Sequence, residues 1–92
     1  MRPEPTRDQI CRTIEHHVAR KGETLAEHSR MLGHSSSYLA RFISEGVPHR
    51  LLPRDRRNLA AFWSIDEWEL GARPGEPRYI PLAAGPVRRR FP

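Results

Sequence analysis

The 92 residues suffice for one domain with its own core, burying roughly 60 to 65% of the surface an unfolded chain exposes. They exclude a barrel or a doubly wound sheet with its crossover helices, and with them the common large enzyme architectures. The 16 Lys and Arg outnumber the 11 Asp and Glu by five, and every cation except Lys21 is arginine, whose planar fork of donors matches phosphate oxygens and guanine edges, so the excess points to a polyanionic partner.

From Thr6 to Gly22, Ile10, Ile14 and Val18 recur at steps of four with Cys11 beside them, the stripe of an amphipathic helix. Thr6 and Gln9 form a capping box at its start, and Arg20, Lys21 and Gly22 end it. Thr24 and Glu27 repeat the box for a short second helix, with Leu25, Ser29, Met31 and Leu32 on one face up to Gly33. Ser35 is the expected N-cap of a third helix that buries Leu39, Phe42 and Ile43 and stops at Gly46 and Pro48. A fourth helix runs from Arg54 to Trp63, with Leu59, Phe62 and Trp63 on an apolar face and Arg54, Arg56 and Arg57 on a charged one. Asp66 and Glu69 predict a third reciprocal cap ahead of a short fifth helix carrying Trp68 and Leu70, closed by Gly71. Prolines 74, 77, 81, 86 and 92 forbid further helix, leaving Arg78 to Leu82 as a possible extended element. The expected organisation is a domain over residues 1–71 and an extended or flexible basic tail over 72–92. A chain ending near Ala72 is expected to fold on its own.

Two short helices joined by a glycine turn, with small Ser29 four residues before Gly33 and apolar Leu39 and Phe42 six and nine after it, have the register of a helix-turn-helix. The stretch Leu32-Gly33-His34-Ser35-Ser36-Ser37-Tyr38-Leu39-Ala40-Arg41-Phe42-Ile43 resembles the turn and recognition helix of the lambda-repressor-like, xenobiotic-response-element type of helix-turn-helix domain, and the resemblance spans roughly residues 7 to 71. His28 and His34 stand where that family more often has aliphatic residues. The resemblance implies an all-α, five-helix lambda-repressor-like bundle with a Pro/Arg-rich C-terminal tail, acting as a sequence-specific transcriptional regulator, a repressor, that binds double-stranded DNA as a homodimer.

On that reading Ser36, Ser37, Ala40 and Arg41 face the major groove, with Arg41 the strong base reader, because a guanidinium grips both acceptors of a guanine edge. Ser35, Tyr38, Arg50, Arg54, Arg56 and Arg57 are the candidate phosphate contacts, and Arg88, Arg89 and Arg90 are possible contacts from the tail. Tyr38 has an alternative reading as an aromatic bracing helix 4, and Trp68 is either core or a dimer contact. Residues 35–57 carry five arginines against Glu45 and Asp55, whereas residues 58–76 carry Arg73 against four acids, so the first segment is expected to face DNA. The rival reading is a protein-interaction module, an antitoxin or anti-repressor-like adaptor whose residues 72–92 hold a protein partner. No enzyme, cofactor or metal site is expected, since the histidines and the lone cysteine lack zinc-finger spacing and Gly33 to Ser37 lacks the closing glycine of a nucleophile elbow. The single Cys11 and the absence of a long apolar run indicate a cytoplasmic protein with no membrane partner.

Overall fold

The computed structural model describes residues 3–81. Four α-helices, α1 (Arg7–Arg20), α2 (Leu25–Met31), α3 (Tyr38–Glu45) and α4 (Pro53–Trp63), are followed by a single 3-10 turn, Glu67–Leu70. No strand occurs among the described residues, and no helix there is long and apolar enough to cross a membrane.

Two of the three predicted capping boxes form, those of α1 and α2. Thr6 Oγ1 accepts from the Gln9 amide at 3.1 Å while Gln9 Oε1 accepts from the Thr6 amide at 2.8 Å. Thr24 and Glu27 do the same at 3.1 and 2.8 Å. Each box satisfies two amides at the helix N-terminus, which no intrahelical carbonyl can reach. Pro53 stands at the first position of α4, where its missing N–H costs nothing.

The all-α expectation holds, but a fifth α-helix does not form. Asp66 Oδ1 accepts from the Trp68 amide at 2.9 Å, one residue earlier than a capping box requires, and also from Arg78 Nε at 2.7 Å. The four-residue turn then ends at Gly71, whose φ of 95° lies in the left-handed region. The start of α3 also differs. Ser35 is not its N-cap: the Ser35 carbonyl accepts from the Tyr38 amide at 3.1 Å, closing a turn through Ser36 and Ser37, and the helix begins only at Tyr38.

One core joins the four helices and the 3-10 turn. Cys11, Ile14 and Val18 from α1 meet Leu32, Leu39 and Phe42, the α4 residues Leu59, Ala60 and Trp63, and Leu51 and Leu70. Burial pushes the Cys11 thiol up from its ordinary value, as suits a core residue rather than a reactive thiol. Met31, expected on the buried face of α2, is 45% exposed, and Phe62 is on the rim of the α4 face with Lys21 Nζ over its ring.

Fully buried His28 is paired rather than merely packed. Its Nε2 accepts from Trp63 Nε1 at 3.2 Å, which leaves the proton on Nδ1, directed at the Thr24 carbonyl at 3.3 Å. It thereby ties α2 to α4 at a position where an aliphatic side chain could only pack.

The segment after Gly71 is not detached from the domain. Ala72 is completely buried, the Glu67 amide donates to the Tyr79 carbonyl and the Tyr79 amide returns to Glu67 Oε1, both at 2.9 Å. The boundary expected at residue 71 therefore cuts through a packed and hydrogen-bonded structure that extends at least to Tyr79.

Candidate nucleic-acid interface

The geometry of the α2–turn–α3 unit is set by Ser29. Completely buried, it donates from Oγ to the Leu25 carbonyl at 2.7 Å and accepts from the Leu39 amide at 3.0 Å. The Leu39 amide lies in the first turn of α3 and has no intrahelical acceptor, so Ser29 serves as a cap supplied from the preceding helix. The Ser29 carbonyl also accepts from the His34 amide at 3.1 Å across the turn, where Gly33 takes a φ of 84°. A small side chain is needed here for close approach, and a hydroxyl adds the bond that fixes the pitch of α3.

A second anchor holds the same turn from α4. Asp55 is fully buried, and its Oδ2 accepts from His34 Nε2 at 2.7 Å and from the Tyr38 hydroxyl at 2.9 Å. The His34 and Tyr38 rings stack at 3.7 Å between centroids, nearly parallel. Burial, reinforced by the hydrogen bond to Asp55 and its negative charge, pushes the Tyr38 hydroxyl up to about 12. Tyr38 therefore braces helix 4. With its hydroxyl proton committed to a buried carboxylate, the expected phosphate contact is not made from this rotamer.

With the inner side so fixed, α3 presents its opposite side to solvent. Ala40 and Arg41 are exposed on the helix, and Ser36 and Ser37 are exposed in the turn before it. The expected reading set therefore comes together on one surface, but only half of it is helical. Ser35 is exposed as well, its Oγ 3.3 Å from Ser37 Oγ. Arg41 Nε lies 3.4 Å from Glu45 Oε1 one turn on, both side chains more than half exposed, an arrangement worth at most about 1 kcal/mol and readily exchanged for a stronger acceptor.

The candidate phosphate arginines separate. Arg54 is 70% exposed beside Asp55, next to the turn that Asp55 anchors, and remains available. Arg57 is half exposed but leans towards Glu67, 3.4 Å from Oε1. Arg50 reaches the Gly71 carbonyl at 3.5 Å, on the side of the domain where the 3-10 turn ends. Arg56 is only 4% exposed, with Nε on Glu67 Oε2 and Nη2 at 3.1 Å from Glu76 Oε1. A guanidinium buried against two carboxylates is neutralised within the fold, which disfavours the expected phosphate contact. Arg88, Arg89 and Arg90 lie outside the described residues.

Asp55, His34 and Ser29 position the surface, yet composition and spacing single out only Ser29. His34 and Tyr38 stand four apart, a hint that they stack, but their common partner lies 21 and 17 residues away. Trp68, expected either in the core or at a dimer contact, is 9% exposed, donates from Nε1 to the Pro3 carbonyl at 3.1 Å and lies beneath Arg78. It is covered within its own chain. Compared with family models, curated proteins and solved structures, the chain has no significant match.

Proposed function

We propose that the chain is a sequence-specific double-stranded DNA-binding regulator that places α3 in the major groove, acting as a dimeric repressor. One observation carries the reading: Ser29 and Asp55 fix the inner side of the turn and α3, leaving Ser36, Ser37, Ala40 and Arg41 exposed together with Arg54 beside them. A rigidly held helix with small polar residues and one arginine outward has the shape and donors that a major groove accepts. Arg41 reads a guanine, Ala40 touches a thymine methyl, and Arg54 fixes the register on a phosphate. Repression and the two-fold arrangement follow from the resemblance of the Leu32 to Ile43 stretch, since paired half-sites call for paired recognition helices.

The rival adaptor reading needs the C-terminal segment free for a partner, whereas Tyr79 within it is bonded through its amide and carbonyl to Glu67. Selection of bound duplexes from a randomised pool, followed by anisotropy titrations over a range of salt, tests the proposal. An enriched motif is expected, with log K falling linearly against log salt, and Arg54→Ala should flatten that slope by about one unit. A pool that enriches nothing overturns the claim of specificity.

A further inference from the structure

A cavity of about 180 Å³ opens between the N-terminal arm, the end of α3, the α3–α4 loop and the 3-10 turn. Phe42 and Leu70 give it an apolar floor, and Arg7, His49, Arg50 and Glu4 are its ionisable groups. Two features mark it as more than a packing gap. The first is Arg7. Its guanidinium lies 5.0 Å from the Phe42 ring centroid and packs beside Gly46, where α3 ends, but Nε and Nη2 are buried with no hydrogen-bond partner among the described residues. A cation at a helix C-terminus ordinarily donates to the last carbonyls; these two nitrogens donate to none. The second is the charge balance. Neither Arg7 nor Arg50 has a carboxylate partner among the described residues, and Arg50 makes only the long bond to Gly71. Two guanidinia against Glu4 leave one positive charge in excess.

We propose that this cavity binds a small organic monocarboxylate with an apolar body about the size of a benzene ring. The volume suits that body, since an apolar cavity of about 150 Å³ accommodates benzene. The carboxylate accepts from exposed Arg50 and, once the Arg7 side chain turns its buried, unpartnered nitrogens into the cavity, from Arg7; guanidinium forks are the side chains best matched to it. The single excess charge selects a monoanion over a dianion, and Phe42 and Leu70 contact the ring. Nothing in this assignment depends on DNA binding.

Benzoate titrated into the full chain, followed by calorimetry and by the methyl resonances of Ile10 and Leu70, is expected to saturate, with neutral benzamide about tenfold weaker or more. Arg50→Gln removes an exposed guanidinium without touching the core, so it should keep the circular dichroism of the parent while weakening benzoate about tenfold. Arg7→Lys retains the charge over Phe42 but loses the fork, and should also weaken benzoate. Equal binding of benzoate and benzamide would reduce the site to an apolar hole and overturn the proposal. So would undiminished benzoate affinity in both variants, or the lack of any saturable shift at millimolar benzoate.

Discussion

Asp55 and Arg56 are neighbours in the chain, both buried in the first turns of α4, and they hold opposite parts of the molecule. Asp55 faces the α2–turn–α3 unit, where one carboxylate oxygen accepts from His34 and Tyr38. Arg56 faces the other way, into Glu67 of the 3-10 turn and Glu76 beyond it. Successive helical residues point about 100° apart, so one helix can serve two clusters from adjacent positions. The clusters differ in what they support. The Asp55 cluster holds a surface that must keep its shape but can stay partly wet, with His34 22% exposed. The Arg56 cluster has a dry centre, the pair of Arg56 and Glu67, and reaches water only through Glu76 and Arg57 at its edge; it knits the acidic segment after residue 58 onto the basic one before it. The opposed segment charges visible in the sequence are in part this internal neutralisation: of the expected DNA-facing set Arg56 and Arg57 pair with Glu67 in the acidic segment, whereas Arg41 and Arg54 are exposed cations that do not.

Arg56→Ala is expected to have the largest effect on stability. Removing Arg56 leaves buried Glu67 with only the half-exposed Arg57 and the Tyr79 amide to offset its charge, and a loss of about 3 kcal/mol is expected in urea denaturation, largely recovered when Glu67→Leu is added to Arg56→Met. Unchanged stability with a flattened DNA salt slope would instead return Arg56 to the phosphate contacts. Ending the chain after Ala72 removes the Tyr79 amide from Glu67 and Glu76 from Arg56, at an expected cost of about 1.5 to 3 kcal/mol with the helical signal retained. A truncated chain as stable as the parent would restore a boundary at residue 71.

On the other side of α4, Asp55→Ala is expected to cost less, about 1 to 2 kcal/mol, because water can reach the donors of His34 and Tyr38 once the carboxylate is gone. Its larger effect should be on DNA, weakening affinity at every salt concentration without changing the slope, since no phosphate contact is lost. The smallest effect is spectroscopic. Tyr38 in the folded chain keeps its proton up to about 12, whereas in the unfolded chain it ionises near 10. Between those values the folded state holds the extra proton, so this group's contribution to stability is present below pH 10 and is lost as pH rises to 12. In a Tyr79→Phe chain the tyrosinate absorbance should therefore rise near pH 12, and Asp55→Asn should bring it down; ionisation near 10 in the parent would contradict the Asp55 bond.

Local signals are the ones that can be read in advance. The boxes at Thr6 and Thr24 and the α3 stop at Gly46 each depend on residues within a few positions of one another, and the Ser29 to Leu39 register is a fixed spacing. The partners of Asp55 and Arg56 lie 11 to 21 residues away, and helical periodicity reports which side chains share a face, not whether a charged face is buried. Three arginines in the first turn and a half of α4 therefore look like one solvated basic patch, while the fold separates them into one exposed, one leaning and one buried. Asp66 fails as a reciprocal cap for a related reason: Arg78, twelve residues on, competes for its carboxylate. Ser35 is overtaken by a turn whose bond uses its backbone carbonyl rather than its hydroxyl.

The claim that the exposed side of α3 reads bases is tested most directly by Arg41→Ala, titrated against its selected duplex and against random duplex under the same salt. The expected loss is about 1 to 3 kcal/mol on the selected duplex and almost none on the random one. An equal loss on both would make Arg41 a phosphate contact and remove the reading face from α3.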